Sequence, residues 1–104
     1  MSAAAAVLAV DDNATIRKAI SMRLGANGFD VVTAADGPSA LALVARRAFD
    51  LVILDLQMPD MRGEEVLRRL RERYSQTQLP VIVLAASNDR GDIERTLELG
   101  ANDY

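Results

Sequence analysis

Apolar residues fall along this chain in two alternating rhythms. Four short aliphatic runs, Val7–Val10, Asp30–Ala34, Leu51–Leu54 and Val81–Ala86, are separated by segments in which apolar positions recur every three or four residues. Two of the runs are apolar at nearly every position, the pattern of strands in a parallel sheet covered on both faces. The segments between them carry helical stripes: Ile16, Ala19, Ile20 and Leu24; then Leu41, Val44 and Ala48; then Val66, Leu67, Leu70 and Tyr74; and last Ile93 with Leu97.

The punctuation agrees with this division. Gly28 follows the first helix, and "DGPSA" (36–40) opens the second with proline near its first turn. Glu64 and Glu65 begin the third helix while Arg71 and Arg73 lie near its end, which complements the helix dipole. "SQTQLP" (75–80) is a polar loop into the fourth strand. The order β-α-β-α-β-α-β-α predicts a doubly wound α/β domain. "GANDY" at the chain's end reads as the opening of a fifth strand, so the fourth strand is expected to form an open edge and the first helix to be partly uncovered.

Composition narrows the chemistry. A chain of 104 residues fits one small domain, and with half its residues hydrophobic but only 4% aromatic the core must be aliphatic. The net charge of −3 argues against a non-specific nucleic-acid binder. The absence of cysteine and histidine excludes disulfides, thiolate or imidazole metal sites, and nucleophilic or acid–base chemistry by either residue. "MSAAAAVLAV" lacks a basic start and runs directly into two aspartates, and no apolar stretch nears the ~20 residues of a membrane span. A cytoplasmic location is the expectation.

The acids then become informative. Ligands of doubly wound sheets bind beyond the carboxyl ends of the strands, where the winding direction switches. Asp11 and Asp12 end the first strand and Asp55 ends the third, whereas Asp50 begins the third and lies about 16 Å away at the opposite edge. With a strand order of 2-1-3-4, the first and third strands are neighbours and the three carboxylates converge. Two like charges 4 Å apart repel by about 4 kcal/mol at an effective dielectric near 20, so a proton or a cation must relieve them. With oxygen ligands only, the cation is a hard one, Mg²⁺. A carboxylate beside Mg²⁺ can attack phosphorus and form an aspartyl phosphate, and Asp55 at the end of a rigid strand is the best placed.

Taken singly, each feature has an ordinary structural reading. Asp11–Asp12–Asn13 could be a helix N-cap, and Asp55 could start a turn. Asp36 and Asp60 read as turn residues, and the four arginines among residues 68–73 as one solvated helix face interleaved with Glu72. The coincidence of acids at two adjacent strand ends is what favours a site.

Four stretches, "VLAVDDNATIRKAI" (7–20), "LVILDLQMPDMRG" (51–63), "LPVIVLAA" (79–86) and "LGANDY" (99–104), resemble the receiver domain of bacterial response regulators, the CheY-like, flavodoxin-like fold with strand order 2-1-3-4-5. The likeness covers nearly the whole of residues 1–104 and implies a receiver whose fifth strand is only begun. It implies Asp55 as phosphoacceptor, Asp11 and Asp12 as the acidic pair with Asp12 ligating Mg²⁺ directly, and the Gln57 backbone carbonyl as a further ligand. Tyr104 matches the aromatic switch residue. Two features depart from the pattern. Ala85 stands where a receiver carries Thr or Ser, and the active-site lysine expected three residues beyond Tyr104 lies past the end; Lys18, in the first helix, cannot replace it. Implied partners are a histidine kinase or phosphotransfer protein and a downstream output domain or protein, with no direct nucleic-acid or membrane contact and with self-association through the open edge. The chain is expected not to be an enzyme beyond promoting its own phosphorylation and dephosphorylation. Alternatives are a pseudo-receiver that binds partners without phosphorylation, suggested by Ala85, and a Mg²⁺-dependent aspartyl-phosphate hydrolase. The latter typically has a second Asp two residues after the nucleophile, where this chain has Gln57.

Overall fold

The strands lie parallel in a single sheet ordered β2-β1-β3-β4, the arrangement the convergence of the acids requires. The computed structural model describes residues 4–58, 61–84, 94 and 97–103. Its elements are β1 (Ala6–Val10), α1 (Ala14–Ala26), β2 (Asp30–Ala34), α2 (Gly37–Arg46), β3 (Leu51–Asp55), α3 (Gly63–Arg73) and β4 (Val81–Leu84). The strand runs therefore sit where the aliphatic pattern puts them, the fourth as far as Leu84, since Ala85 and Ala86 lie outside the described residues. The fourth helical stripe falls largely outside the described residues, Ile93 included, although Leu97 and Glu98 are helical and Leu97 is exposed.

β1 is central and every one of its residues is buried, which is why it reads as an uninterrupted apolar run. β3 alternates: Val52 and Leu54 are fully buried, whereas Leu51, Ile53 and Asp55 are half-buried. Right-handed crossovers place α1 on one face and α2 and α3 on the other. The continuous core lies on the α2–α3 side. There Leu8, Val10, Val52, Leu54, Val81 and Val83 meet Ala40, Val44, Val66, Leu67 and Leu70. Full burial of each larger side chain contributes about 1.5–3 kcal/mol.

One expectation holds and two need correction. As expected of a partly uncovered first helix, α1 has no fully buried residue: Ile20 and Leu24 are half-buried, while Ile16 and Ala19 are exposed. Its stripe lies on a sheet face that no other described helix shares. Ala48 lies beyond the end of α2, because the backbone turns extended at Arg47, and Gly37, Ala40 and Val44 supply the buried side instead. The outer edge of β4 is not fully open. Residues 102–103 run along it, with the Asn102 amide donating to the Val81 carbonyl at 2.8 Å and the Val83 amide to the Asp103 carbonyl at 3.1 Å.

At the amino edge of the sheet, the Asp50 carboxylate accepts from the Ala6 amide at 2.7 Å. It is thus far from Asp55, as its place at the start of the run predicts.

Candidate functional site

The site forms where β1 and β3 end side by side. The Asp11 amide donates to the Ala34 carbonyl at 3.1 Å, which extends the β1–β2 ladder one residue past the strand. Asp11 itself is buried, and its carboxylate accepts from the Asn13 amide at 2.9 Å. Asn13, not either aspartate, caps α1: its side-chain oxygen accepts from the Thr15 and Ile16 amides at 2.9 and 3.2 Å. That division of labour leaves the Asp12 carboxylate exposed and removes the helix-cap reading from the acidic pair. From α1, Arg17 donates to the Asp11 backbone carbonyl at 2.7 Å and fixes the turn from its far side.

Asp55 enters from β3, half-buried, with its carboxylate accepting from the Gln57 amide at 3.1 Å. The carboxylates of Asp11, Asp12 and Asp55 offer oxygens that all lie within 4.8 Å of one another. Burial pushes the Asp55 carboxyl above its ordinary value, and the charges of Asp11 and Asp12 push it further. The Gln57 amide opposes them. Three convergent carboxylates, one of them buried, form an all-oxygen donor set that fits a hard divalent cation. The predicted trio is thus assembled as expected, with Gln57 adjacent to it.

Other assignments fall elsewhere. Asp36 is the N-cap of α2, accepting from the Ser39 amide at 2.7 Å, and is more than the turn residue its sequence suggests. Ala85, Tyr104 and Asp60 lie outside the described residues. Two site-building residues carried no signal by themselves. Arg17 is one. The other is Gly63, the first residue of α3, whose amide donates to the Leu56 carbonyl at 3.1 Å. A Cβ there would lie 2.6 Å from the Leu56 Cα and against the Asp55 carbonyl. Glycine followed by "EEVLRRL" reads only as a helix start, and the close approach comes from a strand several residues away. Beside the loop joining β3 to α3, an open depression of about 340 Å³ is lined by Leu56, Gln57, Met58 and Arg62.

Residues 7–104 match the family described as the response regulator receiver domain. The chain belongs to that family. Among curated relatives, the receiver is 43% identical over 98 residues to the transcriptional regulatory protein KdpE of Mycobacterium tuberculosis, covering 94% of this chain and 42% of that protein. It is 39% identical over 100 residues to the response regulator PleD of Caulobacter vibrioides, covering 96% of this chain and 22% of PleD. The receiver thus spans less than half the length of these relatives. Among solved structures it resembles the chemotaxis response regulator CheY4 of Vibrio cholerae, with a TM-score of 0.90, 35% identity and coverage of 96% of this chain and 83% of that one. The receiver domain of the Francisella response regulator 1452 gives a TM-score of 0.89 at 33% identity, covering 96% and 81%. No helix among the described residues is long and apolar enough to cross a membrane.

Proposed function

We propose that this receiver accepts a phosphoryl group on Asp55 from a partner histidine kinase or phosphotransfer protein and passes the signal to an output domain or protein. The observation that carries the reading is the meeting of three carboxylates at the β1–β3 switch point, with Asp55 at the end of a strand anchored in the core. In the transfer, an Asp55 carboxylate oxygen forms the new P–O bond as the P–N bond of a donor phosphohistidine breaks. The electron pair leaves on the imidazole nitrogen, which takes up a proton. The Gln57 amide holds one Asp55 oxygen in place, and the α1 cap and Arg17 hold the acidic turn.

Asp12, Asp55 and the Gln57 backbone carbonyl would hold Mg²⁺, with Asp11 tuning the site. Mg²⁺ bound there supplies neutralisation of the charge on the phosphoryl oxygens. Asp55 must be ionised to attack; burial, and then the charges of Asp11 and Asp12, push its pKa up, and a cation held at the cluster would favour the ionised form. In this reading the chain is not an enzyme in its own right, and its site of action is the cytoplasm.

The test is incubation with acetyl phosphate and Mg²⁺, followed by intact-mass measurement. A base-labile phosphoryl adduct present in wild type and absent in Asp55→Asn is expected, and an undiminished adduct in the Asn variant refutes the assignment. A second reading, a phosphorylation-independent binding module, is favoured only by Ala85, which removes the hydroxyl that would bond the phosphoryl group. It predicts no adduct on either protein.

A further inference from the structure

The third helix is bolted at both ends. At its amino end Gly63 lies against the Asp55–Leu56 peptide. At its carboxyl end Arg71, one of four arginines that sequence alone assigns to a solvated face, behaves unlike its neighbours. Arg68 and Arg69 pair on the surface with Glu65 and Glu72 at 2.6–3.0 Å. The Arg71 guanidinium instead turns onto the backbone. It donates to the carbonyls of Leu79 at 2.8 Å, Ser75 at 3.2 Å, Tyr74 at 3.3 Å and Gly100 at 2.7 Å, and to the Asn102 side-chain oxygen at 2.9 Å.

Asn102 continues the chain of bonds. The same side-chain oxygen accepts from the Val81 amide at 2.9 Å, and its side-chain nitrogen donates to the Gln76 carbonyl at 3.1 Å. Gly100 completes the fit. Its φ of +107° suits glycine, and a Cβ there would come within 2.9–3.0 Å of the Arg71 side chain. Residues 100–103 are therefore tied by Nε and Nη2 of one planar guanidinium, whose Nη1 is anchored on the carbonyls of Tyr74, Ser75 and Leu79 before β4, a geometry that a lysine ammonium cannot reproduce.

We propose that Arg71, acting through Asn102, is a positioning residue for signalling: it sets the register of residues 100–103 along β4 and, through α3, couples that edge to the state of Asp55, without taking part in the chemistry at Asp55. This rests on the reading of Asp55 as phosphoacceptor. The clamp and the phosphoacceptor loop share one rigid element, α3, so a displacement at one end has a direct mechanical route to the other.

The experiment uses amide hydrogen exchange by NMR together with the phosphorylated fraction measured by intact mass, with acetyl phosphate and Mg²⁺ as the donor system. The reporter amides are Asn102 and Val83, which close the ladder between β4 and residues 102–103. In wild type, phosphorylation changes the exchange of these two amides. In Arg71→Lys they exchange about tenfold or more faster than in wild type while β1 amides keep their protection, the pattern of local rather than global opening. The response to phosphorylation is lost there, with the phosphorylated fraction of Asp55 comparable to wild type.

Asn102→Asp, which keeps the oxygen acceptor, retains the protection, whereas Asn102→Ala loses it. These two variants decide the matter should Arg71→Lys fold poorly. Unchanged exchange in both Arg71→Lys and Asn102→Ala overturns the proposal, as does an equal acceleration in β1, or a phosphorylation response that persists in the variants. Failure of wild type to form an adduct refutes the Asp55 reading instead, and the exchange comparison between unphosphorylated proteins still decides whether the clamp exists.

Discussion

Replacing Gly63 with alanine adds one carbon at the tightest contact around the site. The new Cβ would sit 2.6 Å from the Leu56 Cα and 3.0 Å from the Asp55 carbonyl carbon, both backbone atoms that no rotamer change can move. Carbon–carbon contacts are most favourable at about 3.5–4.0 Å, so α3 must retreat from β3 by roughly 0.9 Å. Overpacking of this kind costs about 1–3 kcal/mol. In a domain of this size each kcal/mol shifts the melting temperature by about 4–8 °C, so a fall of roughly 4–24 °C is expected. The better helix propensity of alanine, worth at most about 1 kcal/mol, offsets only part of this at the first helical position. The displaced peptide carries Asp55, and a misplacement near 1 Å can cost about a hundredfold in rate. Phosphorylation by acetyl phosphate should therefore slow by more than the loss of folded protein explains. The assay pairs thermal melts by circular dichroism with the initial rate of adduct formation well below the melting temperature. Gly25→Ala is the control, since nothing lies within 4 Å of its Cβ and it should hold or gain stability. A Gly63→Ala protein that melts with wild type and phosphorylates at the wild-type rate would show that the close approach has no mechanical consequence.

Asp55→Asn should melt at a higher temperature than wild type at neutral pH without divalent cations. The folded pKa of Asp55 is raised above 3.8, so its penalty is absent well below that value, grows as pH rises from it towards the folded pKa, and is complete above the latter. The advantage of the variant should accordingly vanish on acidification well below about pH 4, and a gap independent of pH would contradict the assigned cause. Millimolar Mg²⁺ should raise the wild-type melting temperature, by the equivalent of about 2.7 kcal/mol at a hundredfold excess over Kd. Asp12→Ala should lose most of that shift, and an unchanged shift would remove Asp12 from the ligand set. Ala85→Thr in the full protein should strengthen the phosphorylation-dependent output and leave the phosphorylated fraction of Asp55 comparable, because a hydroxyl on an anionic oxygen contributes roughly 1.5–3 kcal/mol to one state only. An unaltered output would make Ala85 a neutral substitution.

The strands and the acid trio were legible because both are written in local pattern. A strand such as Val7–Val10 is buried on both faces and so cannot contain polar residues, and carboxylates at strand ends need only the topology to bring them together. Burial of helices was less legible, since α1 has a sound apolar stripe whose burial depends on what else lies on its sheet face. Arg71 and Gly63 were not legible at all. Their partners, Asn102 and Leu56, lie at distances set by tertiary packing, and within "EEVLRRLRER" nothing distinguishes Arg71 from the arginines that pair with glutamates. The cap of α1 was left among Asp11, Asp12 and Asn13 for a subtler reason, as three adjacent residues can each cap a helix and only backbone geometry chooses among them.

The central place of β1 has a further consequence during synthesis. It is made before both of its partners, yet one of them arrives only with Leu51–Leu54, and the Ala6–Asp50 bond at its start spans 44 residues. At translation rates of about 5–20 residues per second, the nascent strand waits roughly 2–9 s for that partner. Throughout that interval "AVLAV" is an uncharged, proline-free apolar segment of the kind that pairs with other chains. The charges next to it are Asp11 and Asp12, which stand where gatekeeper residues stand in aggregation-prone segments. The acids that converge on Asp55 in the folded protein thus also place charge beside an apolar segment, where it opposes pairing with copies before folding is complete.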